Sequence, residues 1–325
     1  MFSRLVNDLM QDPLLYTGFD SCPDRILFDC GYMFGLSLRD VQRISSVFVS
    51  HTHFDHFMGF DHLLRLSIEM DKTVELYGPP GFIGQVAGKL SGYSWNLCSD
   101  LALDFLVVEI DPPFVRRALM RASEAYSVRE MGGDDFSFEI KRGDGYAVSV
   151  AVMDHIIPSL AFSIREDDLL KVNTGALSSL GLRPGPWVGV LKRDLESGTV
   201  TGDMVLPSGE SVPRASVAGD LFFLRHGKKT SYIVDTVYSE RTLESACRLA
   251  DGSDELYCEC SFLSEDADKA AATHHLTAMQ AGMIAREAGV KRLFPVHLSK
   301  RYNGRIRDLL RECSSIFPDV CIPSK

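Results

Sequence analysis

The sequence predicts a layered α/β fold in a single domain, 1-325, interrupted by a projecting insertion over 165-213. Three observations carry that expectation. Short apolar strands alternate with amphipathic helical stretches along most of the chain, several of those strands end in histidine or aspartate, and a polar stretch rich in glycine and proline breaks the alternation near the middle.

Taken in order, Arg25-Ile-Leu-Phe-Asp29 reads as a short strand followed by Cys30-Gly31, where glycine allows a sharp turn. Leu36 to Ile44 reads as a short helix, and Ile44-Ser-Ser-Val-Phe-Val49 as a buried strand. Phe57 to Ile68 carries Phe57, Phe60, Leu63, Leu64 and Ile68 on a helical period. Thr73 to Tyr77 alternates as a strand, stops at Gly78-Pro79-Pro80-Gly81, and launches a helix over Phe82 to Leu90. Leu106 to Ile110, Phe136 to Ile140 and Tyr146 to Val152 read as further strands. From Arg165 to about Pro213 the periodicity is weak, so that segment has too little apolar surface to join the main core. Regular structure resumes with a strand at Lys229 to Val234, a helix over Glu240 to Leu249, and a strand at Leu256 to Cys260. A helix over Ala278 to Ala288, closed by Gly289, precedes a last strand, Lys291 to Val296.

Between the strand ending at Val49 and the next helix lies His51-Thr-His53-Phe-Asp55-His56. An extended stretch sends alternate side chains to one side, so His51, His53 and Asp55 can converge while His56 turns in from the start of the helix. Imidazole and carboxylate suit zinc, manganese or iron better than any packing role. Other strands end in His155, Asp235 and His297, and ligands at strand ends are how an α/β protein assembles a metal site from distant sequence.

Composition narrows the class further. The chain has 325 residues, 45% of them hydrophobic, and no stretch approaches the length of apolar run that spans a bilayer. With no apolar leader at the N-terminus, the expectation is a cytoplasmic protein with no membrane contact. Eight cysteines without a C-x-x-C pair read as thiols of a reducing compartment. A net charge of −10 argues against broad adhesion to nucleic acid, although it leaves room for a local basic groove.

The set His51, His53, Asp55, His56, His155, Asp235 and His297 resembles the ligand set of the metallo-β-lactamase superfamily. More narrowly, the chain resembles the ribonuclease Z family. The resemblance is carried by Ser50 to Arg65, His155 to Phe162, Leu180 to Pro186, Asp235-Thr236, Cys258 to Phe262, His275 to Ala281 and His297 to Tyr302. It implies an αβ/βα four-layer sandwich and a metal-dependent endoribonuclease that cleaves a phosphodiester at the 3′ end of precursor tRNA. By position it implies two divalent ions, zinc first and manganese or iron as alternatives. One would be held by His51, His53 and His155, the other by Asp55, His56 and His297, with Asp235 bridging. Two such ions can share a hydroxide and neutralise charge on the phosphodiester.

In the same resemblance Asp55 serves catalysis as well as binding, and His275 assists proton transfer to the leaving oxygen, while His274 beside it is merely solvated. The inserted segment becomes an arm that grips tRNA, with Gly185, Pro186, Lys192, Arg193 and, outside it, Arg301 as substrate contacts. A homodimer is also implied. Three departures stand against the family pattern: no glycine-rich turn lies in Met1 to Asp24, Val234 replaces a glycine, and Cys258-Glu-Cys-Ser261 replaces His-Glu-Ala-Thr. They keep a second enzyme class open, a small-molecule phosphodiesterase or lactonase of the same superfamily, in which the insertion is a lid. A non-catalytic scaffold with a degenerate site is disfavoured by the full set of seven ligand residues.

Overall fold

A computed structural model of the chain describes residues 1–322, and in it the apolar strands of the sequence sort into two facing sheets. The chain forms two compact units, Met1–Arg165 with Lys228–Lys325, and Glu166–Gly227.

In the first unit an eight-stranded sheet takes its strands in chain order, from Phe2–Leu5 to Val128–Asp135. Its centre is parallel, built from Arg25–Phe28, Ile44–Phe48, Lys72–Gly78 and Leu103–Asp111, with antiparallel strands on both margins. A six-stranded sheet follows the order Leu293–Val296, Glu255–Glu259, Lys229–Ile233, Ser159–Glu166, Tyr146–Met153, Glu139–Gly143.

Period-two alternation divides the interior into three apolar layers. Leu27, Val47, Leu76 and Val107 point to the helices Phe60–Ser67 and Phe82–Ser91, meeting Leu63 and Val86. Their neighbours Phe28, Phe48, Tyr77 and Val108 point the other way, onto Val148, Val150, Phe162 and Tyr232 of the second sheet. Beyond that sheet, Met153, Ile233 and Cys258 pack on the helices Glu240–Ala250, Ala278–Glu287 and Ile306–Ile316. Helix, sheet, sheet, helix is the αβ/βα four-layer sandwich. Rings of Phe48 and Phe162 lie 5.4 Å apart and those of Phe28 and Tyr232 6.0 Å, so each sheet is keyed to the other. Truncating one of these phenylalanines to alanine should cost about 3–5 kcal/mol.

Four local expectations change. The helix expected over Phe57 to Ile68 is two helices, Phe54–Phe57 and Phe60–Ser67, broken at Gly59. A Cβ there would come within 2.1 Å of the Gly31 carbonyl, so the chain bends where two backbones touch. Of the stretch expected as a strand over Phe136 to Ile140, only Glu139 and Ile140 lie in one, Glu139–Gly143, and Phe136 to Phe138 connect it to Val128–Asp135, the strand that takes up the margin of the first sheet. The short helix before the metal motif runs only over Leu38–Gln42, started by the Ser37 cap. The N-terminus forms two strands, Phe2–Leu5 and Leu15–Gly18, which sequence periodicity did not flag because each is four residues long.

The second unit extends past Pro213, where the expected insertion stops, and has a core of its own. Leu177, Leu191, Leu206, Val217, Leu221 and Phe222 are buried together. They come from the helices Thr174–Ser179, Pro186–Glu196 and Arg214–Leu221 and from two-stranded pairings such as Leu169–Val172 with Phe222–Arg225. The helix over Arg214–Leu221 buries Val217, Ala218 and Leu221 in that core, which is why the unit does not end at Pro213. No helix of the described residues is long and apolar enough to cross a membrane.

Candidate metal centre

Four of the seven candidate ligands follow a strand by one to three residues, and His53, Asp55 and His56 come at the start of the helix Phe54–Phe57. Ile44–Phe48 delivers His51, Tyr146–Met153 delivers His155, Lys229–Ile233 delivers Asp235, and Leu293–Val296 delivers His297. The backbone is bent sharply at several of these points. Asp29, Asp235, His274 and His297 all adopt positive φ, between 50° and 59°. Non-glycine residues reach that region at a cost of about 1–3 kcal/mol each, and such strain clusters where side chains must be aimed.

The seven expected ligands lie together. His51, His53, His155 and Asp235 form one group of atoms close enough to share an ion, and Asp55, His56 and His297 form another. Asp235 stands between them. Its Oδ2 is 3.4 Å from His51 Nε2, 3.4 Å from His56 Nε2 and 3.8 Å from His155 Nε2, while Oδ1 is 3.0 Å from His297 Nδ1. His297 Nε2 in turn lies 3.3 Å from Asp55 Oδ2. A third overlapping group joins Asp235 and His297 to Glu259 and His275.

A cation fits this cluster on two counts. His56 Nε2, Asp235 Oδ1 and His297 Nδ1 are buried and make no well-aligned hydrogen bond, Oδ1 and Nδ1 facing each other at 3.0 Å as a charge pair. Such orphaned atoms are costly unless something else satisfies them. The charge balance agrees. Burial pulls His56 down, but the Asp235 and Asp29 carboxylates outweigh it and push it up to about 10. Burial likewise opposes a charged His297, yet Asp235 and Asp55 hold it well above its ordinary value. The carboxylates therefore draw positive charge into the site, and a divalent ion supplies it at the same nitrogens. His51 is pushed the other way, down to about 2, first by burial and then by the charge on His56, so it is a neutral lone-pair donor.

Partners outside the cluster fix the ligands. Asp29 is fully buried and accepts from His56 Nδ1 at 2.8 Å, from Tyr232 Oη at 2.7 Å, and from Ser50 through both N–H and Oγ at 2.7 and 3.0 Å. A proton held on Nδ1 leaves Nε2 of His56 free as a ligand. His155 Nδ1 donates to the His274 carbonyl at 2.9 Å, which aims its Nε2 inward. His274, expected to be only solvated, thus orients a ligand through its backbone. His275 Nδ1 bonds Glu259 Oε2 at 2.8 Å. Glu259 is itself buried, and it accepts from Thr236 N–H at 2.7 Å and Ser261 Oγ at 2.9 Å. Burial lowers His275, but Glu259 outweighs it and raises its pKa.

Asp29, Glu259 and Tyr232 were missed by sequence reasoning as functional residues. The signal was present for the two acids: each is a lone carboxylate closing an apolar strand, Ile26-Leu-Phe-Asp29 and Leu256-Tyr-Cys-Glu259, where an unpaired charge would be prohibitive. The candidate substrate contacts are shared between the two units. Gly185 and Pro186 begin a helix of the second unit, and Lys192 on that helix pairs with Glu196 at 3.6 Å, one turn from Arg193. Arg301 bonds Asp266 at 3.4 Å and lies over the Phe262 ring. A hollow beside the metal cluster is lined by Asp55, Phe262, His275, His297 and Lys300, with Met10, Gln11 and Asp12 of the N-terminal loop forming its far wall.

No protein-family profile matches the chain. It is 31% identical over 299 residues to a ribonuclease Z of Deinococcus radiodurans, covering 90% of this chain and 88% of that protein. It is 30% identical over 307 residues to a ribonuclease Z of Microcystis aeruginosa, covering 90% and 82%. Among solved structures it is similar to the metallo-β-lactamase fold protein YhfI of Bacillus subtilis, with TM-score 0.58, 15% identity and 99% and 95% coverage. It is also similar to the short form of human tRNase Z, with TM-score 0.55, 18% identity and 93% and 94% coverage.

Proposed function

Because the chain belongs to the ribonuclease Z family, we propose that it is a metal-dependent endoribonuclease hydrolysing a phosphodiester at the 3′ end of precursor tRNA. The observation that carries this reading is the placement of His275. Glu259 occupies its Nδ1, so the remaining ring nitrogen is the one available to the hollow beside the ligand cluster. An imidazole so held can give a proton from Nε2 to a leaving ribose oxygen, a poor leaving group that needs one.

Two divalent ions, zinc first, would be held by His51, His53 and His155 on one side and Asp55, His56 and His297 on the other, with Asp235 shared. Bound there, they supply Lewis acidity that neutralises charge building on the phosphodiester and makes water easier to deprotonate. Around them, Asp29 keeps the proton of His56 on Nδ1, the His274 carbonyl does the same for His155, and Glu259 both orients His275 and stabilises its charged form. Eight free cysteines support a reducing, cytoplasmic setting, and the family resemblance supports a homodimer, which sedimentation would test.

The experiment is elemental analysis together with turnover. The protein should carry close to two equivalents of zinc or a similar metal and cut an unprocessed precursor tRNA at the 3′ end of the acceptor stem. Trace metal only, or turnover confined to small phosphodiesters and lactones, would move the assignment to the small-molecule hydrolases.

A further inference from the structure

Two large apolar side chains stand in the open directly beside the ligands. Phe54 lies between His53 and Asp55 and is 78% exposed, and Ile156 follows His155 and is 66% exposed. Neither belongs to any of the buried clusters of the protein, so the fold places no demand for an apolar residue at either position. The rings of His53 and His155 are 5.3 Å apart, so Phe54 and Ile156 each follow one member of a neighbouring ligand pair. The hollows beside the ligands are mixed in character: Asp12, Thr273, Ser299 and Lys300 line one together with Met10, Phe262 and Leu298, and Asp154 and Arg241 line a second, around His155, together with Ile156, Ile157 and Pro158. Phe54 thus puts an exposed aromatic ring on the residue between two ligands of the chain.

A phosphodiester within RNA carries a nucleobase on each side, and an exposed aromatic ring offers a flat face to a base whatever its identity. From this exposed ring beside the ligands we propose that Phe54 is a stacking subsite for a nucleobase next to the scissile phosphate. The proposal rests on the RNA-cleaving reading above and adds how the chain is seated at the metals: the base stacks on Phe54, which fixes the sugar–phosphate turn presented to the ligand cluster. Stacking is indifferent to base identity, so the subsite confers grip and register rather than sequence preference.

The test uses the full-length, metal-loaded protein and three forms of one precursor tRNA: intact, abasic at the nucleotide 5′ of the cleavage site, and abasic at the nucleotide 3′ of it. For the wild type, one abasic substrate should lose about tenfold to a hundredfold in kcat/KM relative to the intact one, the range expected for one base–aromatic stack. Phe54→Ala should show a similar loss on the intact substrate, and abasic substitution should then cost it little more, while Phe54→Trp restores the wild-type pattern. Metal content and melting temperature of each variant check that the ligand loop is intact. The proposal is overturned alone if the wild type cleaves the precursor and Phe54→Ala does so equally well, or if the losses from Phe54→Ala and from base removal simply multiply. It is also overturned if Phe54→Ala acts by splitting a dimer, seen as a change in sedimentation, since the occupant would then be a second copy. Failure of the wild type to cleave any precursor tRNA removes the RNA-cleaving reading and this proposal together.

Discussion

Replacing Asp29 by asparagine changes one atom in a fully buried carboxylate that receives four hydrogen bonds. The amide can be turned two ways, and both conflict with the surroundings. With its NH₂ in place of Oδ1 it faces the Ser50 backbone N–H, a donor that cannot turn away and that loses its 2.7 Å bond. Leaving that buried donor unpaired costs about 1–3 kcal/mol. With its NH₂ in place of Oδ2 it faces Tyr232, Ser50 Oγ and His56 Nδ1. The hydroxyls can rotate, but His56 can accept only by moving its proton to Nε2, the atom that should bind metal. In the first orientation His56 keeps an acceptor that has lost its charge, and in the second it loses the acceptor altogether; weakening or loss of such an outer partner typically lowers metal binding about 10- to 100-fold. Tyr232→Phe is the control. Burial and the Asp29 carboxylate hold its phenol well above the ordinary pKa, so it acts as a donor to Asp29, and its removal takes away one bond while His56 keeps its partner. That variant should lose about 1.5–3 kcal/mol of stability and keep most of its metal affinity. Competition against a chromogenic chelator measures affinity, and urea unfolding measures stability. Wild-type metal affinity in Asp29→Asn, or an equal loss of affinity in both variants, would refute the tautomer argument.

Two further outcomes follow from the same geometry. His275→Ala should retain wild-type metal content while kcat on precursor tRNA falls about a hundredfold or more, with a smaller loss on an activated nitrophenyl phosphodiester whose leaving group needs no proton. Glu259→Gln, which leaves His275 in place without its charged partner, should follow the same pattern more weakly, and loss of a metal equivalent in His275→Ala would make this histidine a ligand instead. Arg165 pairs with Lys229 across adjacent antiparallel strands, so the second unit, Glu166–Gly227, can be replaced by a short glycine-serine linker without spanning a gap. If its Lys171, Arg183, Lys192 and Arg193 grip RNA phosphates, that variant should lose precursor cleavage and the salt dependence of binding while small-phosphodiester turnover persists. A lid would give the reverse, because small substrates would then lose their enclosed pocket.

The layered architecture was legible because its signals are local and repeated. The alternation of Leu27 with Phe28, or of Val47 with Phe48, is a period-two pattern that puts one residue on the helices and the next between the sheets. The break at Gly59 was not legible, since its cause is a carbonyl of Gly31, twenty-eight residues away, that no helical period reports. The order within the second unit was hidden for a different reason. Its core rests on single side chains such as Leu177, Leu191 and Leu206, spread over short elements that never repeat long enough to show a period.

At the metal centre the ligands could be read as residue types at strand ends, whereas the atoms that decide their chemistry could not. Nothing in a histidine's position says which nitrogen carries the proton. That is decided by Asp29 for His56, by the carbonyl of His274 for His155 and by Glu259 for His275, each brought in from another part of the chain. Two of the aiming residues, Asp29 and His274, and the ligands Asp235 and His297 are held at positive φ without being glycines. At about 1–3 kcal/mol each, four such turns are tolerable only if the surrounding packing and the occupied site hold them in place. The buried rings of Phe28, Phe48, Phe162 and Tyr232 do the first, locking the two sheets so that the turns cannot relax independently. A divalent ion bound by Asp235 and His297 would do the second, since their facing Oδ1 and Nδ1 make no well-aligned hydrogen bond and would gain from the ion what the backbone gives up.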